Sequence, residues 1–158
     1  MNEGPKIVIA RQLKAPRTLV YRAFTDPDHL ALWWGPLGNV LPRDEMDFDV
    51  RPGGHLRWTE LSPLQPGLRV RVEFALTAVE DCKLLDGVMR VARRQQDAVE
   101  SFASRILVQF HDACADQTRL EIRQWLPADF ARRAELGWSQ AVGKLEKALS
   151  TVQNSAVR

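Results

Sequence analysis

The chain has 158 residues, 45% of them hydrophobic and 27% charged, and its 22 basic and 20 acidic side chains leave a net charge of +2 at pH 7. This length predicts one globular domain whose core needs no disulfide or metal, and the balanced charge argues against nucleic acid as a partner. No apolar run approaches the roughly 20 residues that span a bilayer, and no signal peptide is visible, so we expect a cytoplasmic protein without a membrane span.

The cysteines and histidines show no spacing typical of a metal site. Cys82 and Cys114 are far apart in sequence and are expected to be free thiols. His29, His55 and His111 are scattered, and they lack the clustered partners of a zinc site. A GxSxG nucleophile motif and a glycine-rich phosphate loop are also absent from the sequence. We therefore expect no metal and no cofactor.

The amino-terminal third predicts one strand and two short helices. Residues 6–16 are rich in β-branched side chains and predict the strand, and residues 15–26 carry apolar side chains at helical spacing. A second helix of about two turns follows, with Asp26 as its N-cap, Pro27 at its first position and Gly35-Pro36 at its end. This helix carries Trp33 and Trp34, which cannot share one face, because neighbouring helical residues point about 100° apart.

The central part of the chain predicts an antiparallel meander. Apolar and polar residues alternate on both sides of a Pro-Gly-Gly turn at residues 51–54, which indicates a hairpin. Further alternating or apolar segments occupy residues 68–81, 84–94, 103–112 and 118–127. Together with the first strand, they predict a curved sheet of about six to seven strands.

The carboxyl-terminal part predicts one long amphipathic helix of about 20 residues, or roughly 30 Å. Its apolar side chains recur every three or four residues from Phe130 to Leu149. We expect a single domain over residues 1–150 and a flexible tail over residues 151–158. Such a helix lies across a curved sheet but is narrower than the sheet. The gap beside it must be filled by large side chains, closed by the short helices, or left as a cavity.

Three segments resemble segments of one protein family and follow one another in the same order as in that family: "APRTLVYRAFTDPDHLALWWGP", "DFDVRPGGHLRW" and "ELGWSQAVGKLEKAL". They are similar to the homologues of the activator of the heat-shock-protein-90 ATPase, within the START-like (SRPBCC) superfamily. The resemblance covers residues 6–150 and implies an α+β helix-grip fold. It also implies a chaperone as a possible partner and, as in many helix-grip proteins, a homodimer.

The leading functional hypothesis is a protein that binds a small apolar, lipid-like molecule between the long helix and the sheet, without a cofactor. Affinity would come from buried apolar area, with one or two polar groups setting the orientation. Which of the two adjacent tryptophans anchors the short helix and which borders the pocket is left open. The predicted lining consists of large apolar side chains: Trp33, Trp34, Leu56, Trp58, Phe74, Met89, Ile122, Trp125 and Trp138.

Two other function classes are kept as alternatives. One is a chaperone-regulating interaction module, and the other is a cyclase- or dehydratase-like enzyme with Glu60, His55 or Gln124 as acid or base. Glu60 would enter the pocket only if its strand stayed regular, and we expect instead that the strand has ended and Glu60 is solvated. Gly137, in mid-helix, lowers helix propensity, so we expect a neighbouring helix or a ligand to approach its backbone closely.

Overall fold

The computed structural model describes residues 4–35 and 38–156, so the predicted helix stop at Pro36 lies outside the described residues. Within these described ranges, three helices and a short 3-10 turn at Arg43–Glu45 accompany seven strands. The helices are α1 (Arg17–Thr25), α2 (Pro27–Leu30) and α3 (Ala128–Ala156). The strands are β1 (Ile7–Leu13), β2 (Asp47–Asp49), β3 (His55–Leu61), β4 (Leu68–Glu80), β5 (Leu84–Gln95), β6 (Ala98–Ala113) and β7 (Gln117–Trp125).

All seven strands form one antiparallel sheet in the order β1-β7-β6-β5-β4-β3-β2. Strands β2 to β7 follow one another as hairpins, and β1 adds to the free edge of β7. The prediction of an α+β helix-grip architecture is therefore confirmed. Because side chains alternate along each strand, the sheet has an inner face toward α3 and an outer face. The inner face carries the buried row Leu56, Val72, Met89, Ile106 and Ile122.

The long helix α3 lies on the inner face along one apolar stripe. Trp138, Ala141, Val142, Leu145 and Leu149 are all buried, at the spacing of three or four residues that the sequence shows. The helix continues to Ala156, so residues 151–156 of the predicted flexible tail are helical. These residues contain no glycine or proline that would end a helix. Within the described ranges, no helix combines the length and apolar character needed to cross a membrane.

The short helix α2 begins as predicted, with Pro27 in its first turn. The carboxylate of Asp26 accepts hydrogen bonds from the backbone N–H groups of Asp28, at 2.9 Å, and His29, at 3.3 Å. The helix is one turn long, shorter than expected, because the chain passes into turns after Leu30. Trp33 is completely buried, and its indole N–H donates to the carbonyl oxygen of Ala23 at 2.8 Å.

The side chains of Trp33 and Trp34 take different positions, which answers the question that the adjacent pair raises. The Trp33 ring packs at 4.7 Å from the Phe24 ring and fastens α2 to α1. The ring of Trp34 is half-buried and packs edge-on against Trp58 and Trp138, on the sheet and on α3. Trp33 is therefore the anchor. Trp34 connects the α2 segment, which comprises α2 and the turn that follows it to residue 35, to the sheet and to α3.

Replacement of Asp26 by alanine is expected to lower the free energy of unfolding by about 1 kcal/mol, because α2 loses the acceptor that caps its N–H groups. Urea denaturation measures the change. Asp44→Ala removes an exposed carboxylate from the 3-10 turn and is expected to stay within about 0.5 kcal/mol of the wild type. If both substitutions lowered the free energy of unfolding equally, the assignment of Asp26 as the N-cap of α2 would be wrong.

Candidate functional site

A cleft lies between the first half of α3 and strands β3–β7, on the inner face. It has two adjoining spaces of about 280 Å³ and about 160 Å³. Both spaces are lined by Glu60, Val91, Phe102 and Ala134. The larger space is also bordered by apolar and charged side chains from the sheet and helix: Val70, Arg93, Glu100, Leu126, Phe130 and Arg133. The smaller space is closed by residues of the α2 segment, the sheet and α3: Trp34, Gly35, Met89, Gln124, Gly137, Trp138 and Ala141.

The cleft exists because α3 presents small residues to it. Ala134, Gly137 and Ala141 follow one another at helical spacing and all line the smaller space. A Cβ atom added at Gly137 would have no described neighbour within 4 Å. The expectation that another part of the protein approaches Gly137 closely is therefore wrong for the described residues. This glycine faces open space and widens the cleft.

Glu60 occupies the junction of the two spaces, and the expectation that it is solvated is wrong. Strand β3 continues to Leu61, and its pairing with β4 remains regular through Glu60, which lies opposite Val70. Leu61 also forms a bridge to Val40, which extends the ordered pairing beyond the point where the strand was expected to end. Alternation then directs Glu60 inward, and the residue is only 8% exposed.

Two side chains hold the Glu60 carboxylate in place. The indole N–H of Trp34 donates to Oε2 at 3.2 Å, and the amide of Asn39 donates to Oε1 at 3.1 Å. Gly35 packs directly against the same carboxylate and has a φ of +82°. A Cβ atom there would collide with Oε1, and most side chains would also be strained at this φ. The α2 segment thus supplies both a donor and a close backbone approach.

The electrostatics at Glu60 are dominated by its removal from water. Burial raises the pKa of Glu60 above its ordinary value of 4.5, while hydrogen bonds from Asn39 and Trp34 and the charge of Lys144 act in the opposite direction. Burial likewise lowers the pKa of Lys144, and Glu60 opposes that shift. The Lys144 ammonium donates to the carbonyl oxygens of Trp34 and Gly35, both at 3.2 Å.

A second set of polar groups, on the α3 side of the cleft, is satisfied internally. The Trp138 indole N–H donates to Oε1 of Gln124 at 2.9 Å, and the Gln124 amide donates to Oγ of Ser104 at 2.8 Å. These bonds fix the Trp138 ring against β7 and β6. Glu60 is therefore the buried polar group best placed to interact with a molecule in the cleft. No group of three or more metal-binding side chains is present among residues 4–35 and 38–156.

Three of the predicted lining residues border the cleft: Trp34, Met89 and Trp138. Five others lie in the core instead, each at most 3% exposed: Trp33, Leu56, Trp58, Phe74 and Ile122. Trp58 lies directly behind the wall, with its ring 4.8 Å from that of Trp34. Its indole nitrogen is buried and has no hydrogen-bond partner within the described residues.

Trp125 is not at the cleft, which corrects its predicted position. The inward position at the end of β7 belongs to Gln124, so alternation turns Trp125 to the outer face. There Trp125 lies opposite Arg105 of β6, whose guanidinium carbon is 4.5 Å from the centre of the indole ring. This cation–π contact explains the half-buried tryptophan without a ligand.

The sequence analysis did not predict the aromatic pair that lines the larger space of the cleft. Phe102 of β6 and Phe130 of α3 stack with ring centres 5.3 Å apart, and both line the larger space. Strand β6 begins at Ala98, before the predicted segment. Extending the alternation of Ser104 and Ile106 backwards would have placed Phe102 on the inner face.

Comparison with known proteins identifies relatives of the same architecture. The family described as "Activator of Hsp90 ATPase homolog 1-like protein" matches residues 14–150. No protein of curated function matches the sequence significantly. A crystal structure of a protein from Chromobacterium violaceum shares 25% sequence identity, with a TM-score of 0.72 over 90% of this chain and 95% of the other.

Two further solved structures share the fold at lower sequence identity. The AHSA1 protein from Silicibacter pomeroyi is 20% identical, with a TM-score of 0.73 over 92% of this chain and 97% of the other. The AHSA1-like protein from Aeromonas hydrophila is 16% identical, with a TM-score of 0.72 over 93% and 94% of the two chains.

Replacement of Trp138 by phenylalanine is expected to lower the free energy of unfolding by about 1–3 kcal/mol, because the buried Gln124 amide loses its donor. The matched control is Trp125→Phe on the outer face, for which we expect less than about 0.5 kcal/mol. Urea denaturation compares them. If the two substitutions were equally destabilising, the buried hydrogen bond would not be significant.

Replacement of Glu60 by glutamine is expected to change how stability depends on pH. Since burial raises the pKa of Glu60, the folded chain binds this proton more tightly than the unfolded chain does. Titration of Glu60 as the pH rises through and above 4.5 therefore lowers the stability of the wild type, a contribution that the variant lacks. The unfolding free energy of Glu60→Gln minus that of the wild type should increase from acid to neutral pH.

Urea denaturation at a series of pH values tests this difference. Asn39→Ala removes a donor that lowers the pKa of Glu60, and in that background the effect of Glu60→Gln should depend more steeply on pH. A difference that stays constant across the series would contradict the assigned environment of Glu60.

Proposed function

The chain belongs to the START-like family of activator-of-Hsp90-ATPase homologues, and on this premise we propose that it binds a small, mainly apolar molecule in the cleft between α3 and the sheet. The observation that carries the proposal is an apolar cleft with one buried carboxylate at its centre. Ligand sites typically combine such walls with a few polar groups that set orientation.

The walls account for affinity. Phe102, Phe130, Val91 and Trp138 offer aromatic and aliphatic surface from both layers. Covering apolar surface stabilises a complex by roughly 25 cal/mol per Å². The larger space, of about 280 Å³, is close to the lower end of the roughly 300–1,000 Å³ typical of ligand pockets. Together with the adjoining space of about 160 Å³, this volume favours a small ligand of two or three rings.

Glu60 supplies the polar contact. Its two oxygens each accept one hydrogen bond from the protein, and a carboxylate has further lone pairs available. A ligand N–H or O–H donor that reaches Glu60 would compensate for its removal from water. The proposed ligand is therefore an apolar body that carries one donor. Arg93, Arg133 and Glu100 border the larger space and provide charged groups at its edge.

The acid–base hypothesis gains less support from the geometry. Of its three proposed residues, Glu60 and Gln124 line the cleft. His55 instead lies beside Asp47, at 3.0 Å, on the opposite side of the sheet. Gln124 is engaged with Trp138 and Ser104, which leaves Glu60 alone as the acid or base. The chaperone-regulating function and the homodimer rest on the family relationship and remain predictions.

Replacement of Gly137 by leucine is expected to abolish binding of N-phenyl-1-naphthylamine, a fluorescent apolar molecule with a single N–H donor. The new side chain would occupy the open space beside Gly137, and it also favours the helix by up to about 1 kcal/mol. Fluorescence titration measures the affinity, and circular dichroism confirms the fold.

Gly143→Leu is the matched control, because Gly143 also lies within α3 with no described neighbour near its Cβ position, but does not line the cleft. We expect this variant to bind the probe like the wild type. Undiminished binding by Gly137→Leu would rule out the cleft as the site. Native mass spectrometry of the freshly purified protein would identify the chemical class of any molecule retained from the cell.

A further inference from the structure

We propose that the outer face of the sheet carries a second binding site, for a small molecule that bears two or more phosphate groups. A hollow of about 630 Å³ lies on this face across strands β3–β6. The hollow is deep because small side chains form its base on β5 and β6. These are Ala92, Ser101, which lies opposite Ala92, and Ala103, which lies opposite Arg90. The hollow and the cleft are on opposite faces of the same strands.

The hollow is positively charged. Three arginines, Arg57, Arg71 and Arg90, and one acidic residue, Glu73, line it. The Glu73 carboxylate accepts a hydrogen bond from Nε of Arg57 at 2.6 Å and lies opposite Arg90 on β5, and Arg57 also forms an ion pair with Asp47 at 3.4 Å. Within the part of the chain that the structure describes, neither Arg71 nor Arg90 forms an ion pair with a carboxylate. Among the lining residues, positive charges therefore outnumber negative charges by two.

Arg71 and Arg90 are close enough to act on one ligand. Arg71 lies opposite Ala92, and Arg90 precedes Ala92 by two residues on β5. They are thus diagonal neighbours on one face, with Cα atoms roughly 7–8 Å apart, a spacing that long side chains bridge. Like charges at this spacing repel each other. An anion between them would remove that repulsion.

Arg71 is already oriented by the protein. Its Nη1 donates to the carbonyl oxygen of Glu45 at 2.8 Å and to Oγ1 of Thr59 at 3.1 Å. A guanidinium has five N–H donors, so the Nε and Nη2 groups are left for a ligand. A side chain held in this way loses less conformational freedom on binding than a mobile one.

The arrangement favours a compact, multiply charged anion. A single carboxylate binds weakly to exposed arginines, whereas a polyphosphate can contact both guanidinium groups at once. The planar guanidinium fork matches phosphate oxygens in a bidentate manner. The volume of the hollow also lies within the range of small-molecule sites. The ligand class is therefore a small polyphosphate or bisphosphorylated molecule.

Isothermal titration calorimetry with inorganic tripolyphosphate at low ionic strength tests the site on the full chain. Arg90→Gln is expected to weaken binding about tenfold or more, since a hydrogen bond to a charged group contributes about 1.5–3 kcal/mol. The matched control is Arg119→Gln, which removes an exposed arginine from β7 on the same face but outside the hollow. We expect this control to retain the wild-type affinity.

Each other outcome overturns the proposal. Equal loss in both variants would indicate general attraction of anions to the chain, and unchanged binding by Arg90→Gln would place the anion elsewhere. Binding of a polyglutamate peptide or of phosphatidylserine vesicles, without tripolyphosphate binding, would assign the hollow to a macromolecule. The Arg90→Gln variant should bind N-phenyl-1-naphthylamine like the wild type. The proposal for the hollow and the proposal for the cleft are therefore tested independently.

Discussion

The architecture depends on a mismatch between the width of one helix and the width of the sheet that it covers. An α-helix is about 10 Å across, whereas seven strands at about 4.8 Å each span roughly 30 Å. The apolar stripe of α3 therefore leaves part of the inner face uncovered. Where α3 carries large side chains, such as Leu145 and Leu149, the core is filled. Where it carries Ala134, Gly137 and Ala141, the cleft remains.

The α2 segment closes one side of the cleft with Trp34 and Gly35, and Trp34 makes most of its contacts there. Trp34 contacts Trp33, Trp58 and Trp138 with ring centres 4.8–5.6 Å apart, and its indole N–H binds Glu60. The backbone beside it also accepts hydrogen bonds from Lys144 of α3. The segment thus binds the sheet and the long helix at once. Its hydrogen bond to Glu60 opposes, but does not offset, the rise in the pKa of this carboxyl that burial causes.

The same strands present different chemistry on their two faces. On β3 and β4, Trp58 and Val72 face the core, while Arg57 and Arg71 face the outer hollow. Alternation with a period of two makes this possible without any change of backbone. An apolar cleft and a basic hollow can therefore occupy the same region of a thin sheet.

The sequence by itself determined the elements, their order and the fold, because periodicity, caps and turns are local signals. Asp26 and Pro27 begin α2 as predicted, and the alternating segments became the antiparallel strands. It did not determine which inward residues meet empty space. Leu56, Phe74 and Ile122 have the same pattern as Met89, yet only Met89 borders the cleft.

Only the tertiary structure decided where the cleft lies, that Glu60 is buried and that Trp125 faces outward. The position of Glu60 depends on where β3 stops pairing, and that of Trp125 depends on whether it or Gln124 points inward. The position of the cleft depends on where the small residues of α3 lie over the sheet. Each is a contact between segments distant in the chain. Local periodicity contains no information about the distance between the helix and the sheet. That distance decides whether the inward side chains form a packed core or line a binding site.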